Sequence, residues 1–220
     1  MGTLPQRVIA GLILLLGVLA GAVVVGATSP FQGLDDGWRT LLASHRTALV
    51  TGFAEALSLA GNTVGTTVVA VALAAYWLVR RERALALFVL VSSAAVRALT
   101  NLIKAGVDRP RPPQHLVDAA GASFPSGHVS SATVLAMAVA LILVHRGMRR
   151  RWGIVLITVT AVLMAWDRTY LSVHWLSDTV AGAALGVAGP LLLWPLFARS
   201  AAPTGAPPSP PARTPPPAQQ

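Results

Sequence analysis

The sequence predicts an all-α protein, a polytopic membrane bundle of six transmembrane helices. Its composition supports this fold class, because 54% of the 220 residues are hydrophobic, only 11% are charged, and the mean hydropathy is +0.64. Such a composition is typical of membrane proteins. The apolar residues also form runs of about 20 residues, a length at which a helix spans the hydrocarbon core of a bilayer. We expect residues 1–198 to form one transmembrane domain.

The first expected span covers residues 8–27. Arg7 precedes it, as in a cleaved signal peptide, but the apolar run is long for the core of such a peptide, so we expect an uncleaved helix. Residues 29–37 are expected to form a loop. Residues 37–60 carry apolar side chains at helical spacing among polar ones, which indicates an amphipathic helix at the membrane interface. Gly61 breaks that pattern.

Five further spans follow along the chain. They are expected at residues 64–79, 84–103, 127–144, 153–170 and 174–197. The remaining residues, 199–220, are rich in Ala and Pro and cannot form a packed core, so we expect a disordered tail.

Six spans place both termini on one side of the membrane. Most basic residues then share that side, in the order Arg7, 80–83, 146–151, Arg199 and Arg213. The positive-inside rule makes this side cytoplasmic. The loops that carry the remaining motifs would then face the extracytoplasmic side of the cell membrane.

The charge balance and the absence of cysteine exclude several classes of function. With 17 Lys and Arg against 8 Asp and Glu, the net charge is +9, but the cations lie between apolar runs and form no single patch. We therefore expect them to set topology, and we expect no nucleic-acid partner. The chain has no cysteine, which excludes disulfides, thiolate catalysis and cysteine metal sites.

Three polar segments are expected to meet on the extracytoplasmic face: residues 104–112, 124–128 and 167–178. Charge beside apolar spans is costly and is usually functional. Lys and Arg side chains suit phosphate oxygens, and a helix that opens at Ser-Gly-His offers N–H groups to an anion. Each segment alone also has a structural explanation, as interfacial cations, a Ser-capped helix start or a structural His–Asp contact. Their convergence on one face favours an anion site.

Two histidines stand among these groups. His174 and Asp178 are four residues apart and, if helical, share one face. A carboxylate behind an imidazole fixes its tautomer and makes the other ring nitrogen a better nucleophile or base. One histidine could then attack phosphorus while the other, His128 or His174, protonates the leaving oxygen.

The chain resembles the type 2 phosphatidic acid phosphatases, the lipid phosphate phosphatase group, over about residues 50–190. The resemblance rests on three motifs with matching order and spacing: Lys104-x6-Arg111-Pro112, Pro125-Ser126-Gly127-His128 and Arg168-x5-His174-x3-Asp178. Asp167 stands where the family usually has Ser. An acid there either alters phosphate binding or pairs with Arg168 or a neighbouring cation.

The resemblance implies a role for each motif residue. His174 would be the nucleophile that forms a phosphohistidine, Asp178 would orient it, and His128 would be the general acid. The groups implied to hold the phosphoryl oxygens are Lys104, Arg111, Ser126, Gly127 and Arg168. Phosphoryl transfer requires mainly positioning and charge neutralisation, which cations and a helix terminus can supply. We therefore expect a metal-independent phosphatase with no cofactor.

The expected substrate is a lipid phosphate whose tail lies in the bilayer. Prenyl diphosphates such as undecaprenyl diphosphate, phosphatidic acid and phosphatidylglycerol phosphate all fit. A phosphotransferase acting through the same phosphohistidine is the first alternative. A lipid transporter or flippase is the second, although it would require more polar residues within the spans than Arg97.

Four charged or titratable residues near the motifs are not part of the implied site. Arg97 falls on the same helical face as Lys104 and is either a bundle-facing group behind the site or a structural cation. Three loop residues are expected to be solvated: Asp108, Arg109 and His115.

Overall fold

The structure, a computed structural model, describes residues 3–198. This part of the chain forms eight α-helices and no strand: α1 (Leu4–Ala27), α2 (Gln32–Ser44), α3 (Ala48–Gly61), α4 (Thr63–Val79), α5 (Arg83–Val107), α6 (Gly127–His145), α7 (Arg150–Tyr170) and α8 (Leu176–Phe197). The all-α prediction is confirmed for these residues. The expected tail lies outside the described residues.

Five helices are long and apolar enough to cross a membrane: α1, α5, α6, α7 and α8. A sixth span results if α3 and α4, which meet at a 51° bend, are counted as one broken crossing. The helices agree with the expected spans to within a few residues at most ends. The number of spans is therefore five, or six with the bent pair, in keeping with the expected six.

The segment between α1 and α4 differs from the sequence prediction. A loop over residues 29–37 followed by one helix over 37–60 was expected, but α2 already begins at Gln32 and a second helix, α3, begins at Ala48. Thr47 separates them, because its extended backbone and its side-chain oxygen, 3.3 Å from the Val50 amide, make it the N-cap of α3.

The central helix is α6, which packs against α5, α7 and α8. Its contact with α8 is especially close. A Cβ atom at Gly182 would lie 2.6 Å from the Ser126 carbonyl oxygen, and one at Gly186 would lie 2.7 Å from Thr133 Cβ. Small residues allow such an approach between membrane helices.

This packing places the helix ends that carry the motifs on one face of the bundle. The Ser126 amide, at the start of α6, donates to the carbonyl oxygen of Asp178 in the first turn of α8 at 2.9 Å. The C-terminal ends of α5 and α7 lie on the same face, since α5 precedes α6 and α7 precedes α8 in an up-and-down order. The fold therefore brings the three motifs together.

Candidate active site

A cavity of about 170 Å³ lies where these helix ends meet. Its walls include five of the predicted site residues: Lys104, Arg111, Gly127, His128 and His174. For comparison, a cavity of about 150 Å³ in another protein accepts a molecule the size of benzene, so this one has room for a phosphoryl group. The three motifs thus form one chamber.

His174 lies in the turn before α8. The expectation that His174 begins the last helix is wrong, because α8 starts at Leu176 and the Asp178 carboxylate accepts a hydrogen bond from the Trp175 amide at 2.9 Å. His174 and Asp178 still face each other, with Nδ1 3.4 Å from Oδ2, although this contact lacks hydrogen-bond geometry. The predicted pair is therefore present as a close contact between a turn and a helix.

The other ring nitrogen of His174 faces Arg111. Its Nε2 atom lies 3.3 Å from Arg111 Nη1. Arginine carries only donors, so Nε2 is the acceptor and its lone pair points toward the cation. The guanidinium is held in place by the carbonyl oxygens of Val173, Gly121 and Ala120 at 2.7, 3.0 and 2.9 Å. This arrangement places the ring proton on Nδ1, opposite Asp178.

The surroundings of His174 favour its neutral form. Burial lowers the pKa of His174 from 6.5 to about 4, an effect that Asp178 opposes and the cations Arg111 and Lys104 reinforce. A neutral imidazole at pH 7 keeps the lone pair that a nucleophile requires.

Lys104 reaches the cavity from the last turns of α5. Its ammonium group donates to the carbonyl oxygens of Ala122 and Ser123, the latter at 3.3 Å. Because Arg111 also binds carbonyl oxygens at 120–122, two cations hold the loop before α6 against the site.

Two other predicted phosphate ligands, Ser126 and Arg168, are buried but are not among the residues that line the cavity. The Ser126 hydroxyl makes no hydrogen bond and does not cap α6 through its side chain. Arg168 Nη2 is likewise buried without a hydrogen-bond partner. Both groups keep free hydrogen-bonding capacity beside the chamber.

Asp167 pairs with its neighbour. Its Oδ2 atom accepts a hydrogen bond from Arg168 Nε at 2.7 Å, and both side chains are almost fully buried. Pairing with Arg168 was one of the two expectations for this position. The acid therefore neutralises one side of the guanidinium and leaves its Nη2 atom unpaired.

The prediction that Arg109 is a solvated loop residue is wrong. Arg109 is 4% exposed and binds two buried carboxylates, Asp178 Oδ1 at 2.6 Å and Asp35 Oδ2 at 2.8 Å. The guanidinium also lies over the Trp175 ring, 5.4 Å from its centroid. Buried charges require such pairing. By contrast, the other two residues of that prediction, Asp108 and His115, are exposed.

Asp35, in the first turn of α2, was not predicted as a site residue. It is 1% exposed and also accepts from the amide and hydroxyl of Ser177, at 2.9 and 2.7 Å. Asp35, Arg109 and Asp178 thus form a continuous buried chain of charged groups that ends at the His174 ring. The sequence offers only a weak signal for this role, because Arg39, four residues after Asp35, would also explain an acid at this position.

Potential metal ligands do not gather in this part of the protein. Among residues 3–198, no three His, Cys, Asp or Glu side chains form a group that could hold a metal ion.

Comparison with known proteins identifies the family to which the chain belongs. Residues 85–201, more than half of the chain, match the PAP2 superfamily. A protein of Escherichia coli (strain K12) named "Putative undecaprenyl-diphosphatase YbjG" is 38% identical over 79 residues, which are 34% of this chain and 37% of that protein. Phosphatidylglycerophosphatase B of Bacillus subtilis (strain 168) is 32% identical over 96 residues, 41% of this chain and 47% of that protein. The matches thus span less than half of these relatives.

Two solved structures share the fold. The PAP2-type phosphatidylglycerolphosphate phosphatase of Bacillus subtilis superposes with a TM-score of 0.76 at 24% identity, covering 84% of this chain and 94% of that one. Aquifex aeolicus LpxE gives a TM-score of 0.53 at 20% identity, covering 70% of this chain and 90% of that one. Taken with the match over residues 85–201, these similarities show that the chain belongs to the PAP2 superfamily.

Proposed function

We propose that this protein is an integral membrane phosphatase that hydrolyses a phosphoric ester or diphosphate of a lipid through a phosphohistidine on His174. The observation that carries the proposal is the position of His174 Nε2, which lies 3.3 Å from Arg111 in a cavity shared with His128 and Lys104. A nucleophile, a second histidine and two cations around one small chamber match the requirements of phosphoryl transfer.

The first chemical step forms the covalent intermediate. A phosphoryl group enters with its oxygens toward Lys104, Arg111 and the amide groups at the start of α6, where the helix dipole also favours an anion. The lone pair of His174 Nε2 attacks phosphorus, and the bond from phosphorus to the leaving oxygen breaks. His128 transfers a proton to that oxygen, and the product lipid departs. Asp178 stabilises the positive charge that develops on the His174 ring.

The second step restores the enzyme. Water attacks the phosphohistidine, His128 accepts a proton from it, and the bond from phosphorus to Nε2 breaks. Inorganic phosphate leaves and His174 returns to its neutral form. Positive charge from side chains and a helix terminus neutralises the phosphoryl oxygens in both steps, so the proposed reaction uses no metal ion.

The extracytoplasmic face is the proposed location. The cavity lies between the C-terminal half of α5, the start of α6 and the turn that joins α7 to α8. The opposite ends of these helices carry the basic clusters at 80–83 and 146–151, which the positive-inside rule assigns to the cytoplasm. Both termini would then also be cytoplasmic.

Lipid phosphates are the proposed substrates. The names of the two curated relatives refer to undecaprenyl diphosphate and to phosphatidylglycerophosphate, so the substrate classes that those names cover are the first to test. Phosphatidic acid belongs in the same panel because it presents a monophosphate on a lipid anchor.

The deciding experiment is phosphate release by the purified full chain in detergent. The panel contains a prenyl diphosphate, phosphatidic acid and phosphatidylglycerol phosphate, with His174→Ala as the inactive control. We expect release from at least one lipid by the native protein and none by the variant, with both showing the same thermal unfolding. No release from any lipid would contradict the proposal, and transfer to an added alcohol in preference to water would show a phosphotransferase.

A further inference from the structure

Arg97 is a cation in the apolar part of α5 that the reaction described above does not use. It lies ten residues before Val107, the end of the helix, which corresponds to about 15 Å along the axis. Arg97 nevertheless lines the same cavity as His128 and His174. It therefore projects toward the site from deeper within the span than Lys104.

Arg97 has no carboxylate partner among residues 3–198. Its Nη2 atom donates to the Thr66 hydroxyl at 3.1 Å, a neutral acceptor in α4. Thr66 in turn donates to the Asn62 carbonyl oxygen at 2.8 Å, which helps to fix its orientation. A guanidinium within a membrane span is costly without a counter-charge, and in membrane proteins such residues mark substrate or ion paths. A bound anion would supply the missing charge.

A second cavity begins at Arg97. It measures about 310 Å³ and runs between α4, α5 and α6, and Arg97 and Ser131 belong to its wall and to the wall of the catalytic chamber. The rest of its lining is mostly apolar, including Ala70, Val71, Leu90, Val134 and Leu135. Arg97 thus marks the junction between a polar chamber and an apolar groove that could receive a lipid tail.

We propose that Arg97 binds the second phosphate of a lipid diphosphate, the phosphate that is joined directly to the tail. This inference rests on the proposed function and names its substrate class. The terminal phosphate would lie at His174, Lys104 and Arg111, the inner phosphate at Arg97, and the tail in the apolar groove. A monophosphate places its only phosphate at His174 and brings no negative charge to Arg97.

The position of Arg97 also fits the charge changes of the reaction. His174 attacks the terminal phosphorus, and the bond from that phosphorus to the bridging oxygen breaks. The bridging oxygen leaves on the inner phosphate and receives its proton from His128, while water later releases the terminal phosphate. The overall reaction converts a lipid diphosphate and water into a lipid monophosphate and inorganic phosphate. Negative charge grows on the inner phosphate as the bond breaks, and Arg97 would stabilise it.

The test compares two substrates that differ by one phosphate, farnesyl diphosphate and farnesyl monophosphate. We expect the native protein to have the higher kcat/KM on the diphosphate. Arg97→Gln should lower kcat/KM on the diphosphate about 10²-fold more than on the monophosphate, the usual effect of removing one donor to a developing oxyanion. Arg97→Lys, which keeps the charge, should recover part of this difference. Arg83→Gln, the same change at the exposed opposite end of α5, should leave the ratio unaltered.

Each outcome is decisive. Equal losses on both substrates for Arg97→Gln and Arg97→Lys, with the native protein active, would overturn the role of Arg97 and leave the proposed phosphatase intact. If Arg97→Gln fails to fold, the inhibition constants of inorganic diphosphate and phosphate on the native protein decide. Equal inhibition by the two anions would overturn the inference. Absence of turnover on both substrates by the native protein would overturn the proposed function and this inference with it.

Discussion

Arg109 Nη1 lies 2.6 Å from Asp178 Oδ1, and the two side chains are 3% and 0% exposed. The contact joins the loop after α5 to the first turn of α8. Since the other oxygen of Asp178 faces Trp175 N and His174 Nδ1, Arg109 fixes the carboxylate behind the proposed nucleophile. The orientation of His174 therefore depends on a residue at an unspecified position of the first motif, between Lys104 and Arg111.

Replacing Arg109 should reduce both stability and turnover. Arg109→Met leaves the carboxylates of Asp35 and Asp178 buried without their cation, a change that costs about 3–5 kcal/mol in comparable pairs. Thermal unfolding in detergent and kcat on a lipid phosphate measure the two effects. Arg39→Met is the control, because Arg39 forms no ion pair among the described residues. Equal unfolding temperatures for the two variants would contradict a structural role for the Arg109 pairs.

The pH dependence of His174 follows from its burial. Because burial lowers its pKa from 6.5 to about 4, the ring stays neutral as pH falls through 6.5 and gains a proton only near pH 4. The loss of kcat/KM that reports protonation of the nucleophile should therefore occur near pH 4. NMR of histidine-labelled protein tests this directly, with the His174 signal identified by its absence in His174→Ala. Titration of that signal near pH 6.5 would show that the ring is solvated.

The two histidines should respond differently to the leaving group. His174→Ala should be inactive on every substrate, since no phosphohistidine can form. For His128→Ala, kcat/KM on a lipid monophosphate should fall about 10²–10⁴-fold, because the leaving alkoxide requires a proton. On p-nitrophenyl phosphate the fall in kcat/KM should be much smaller, because that leaving group does not require one. The measurement is kcat/KM for both variants on both substrates. Equal losses of kcat/KM on the two substrates for His128→Ala would indicate that His128 binds phosphate and is not the acid. Activity of His174→Ala on the aryl ester alone would indicate that His174 is the acid and His128 the nucleophile.

A methyl group at Gly61 should disturb His128. A Cβ atom there would lie 2.6 Å from Met164 Sδ and 3.2 Å from His128 Cδ2. The flexible methionine can yield, but the imidazole must shift by a few tenths of an ångström. A misplacement of a catalytic group by about 1 Å can lower the reaction rate about 10²-fold. The kcat of Gly61→Ala should therefore fall by several-fold to roughly 10²-fold. Gly52→Ala in the same helix meets no atom within 4 Å and should retain full activity, and equal kcat values would contradict the contact.

Single-cysteine variants can show which side of the membrane the proposed site faces, because the chain has no cysteine of its own. His115→Cys lies in the exposed loop near the site, and Arg149→Cys lies at the exposed start of α7 on the opposite face. A membrane-impermeant thiol reagent added to intact cells should label position 115 and leave position 149 unmodified. The reverse pattern would place the site in the cytoplasm.

The sequence predicts the membrane spans and the meeting of the three motifs, since long apolar runs and fixed motif spacing are local signals. It does not predict the burial of Arg109, because a loop has no periodicity that distinguishes a solvated arginine from a buried one. Asp35 is also missed, since its partners lie at positions 109 and 177, far along the chain. The start of α8 is misplaced by two residues because Asp178 caps the helix through the Trp175 amide.

The backbone hydrogen bond from Ser126 to Asp178 has a consequence for biosynthesis. The carboxylate of Asp178, which pairs with Arg109, and the turn that holds His174 leave the ribosome after helices α1 to α7. The start of α6 and the loop before it therefore remain without their α8 contacts while the earlier helices enter the membrane. The catalytic centre can assemble only when α8 docks on α6 through Gly182 and Gly186, so a nascent chain that lacks α8 is inactive.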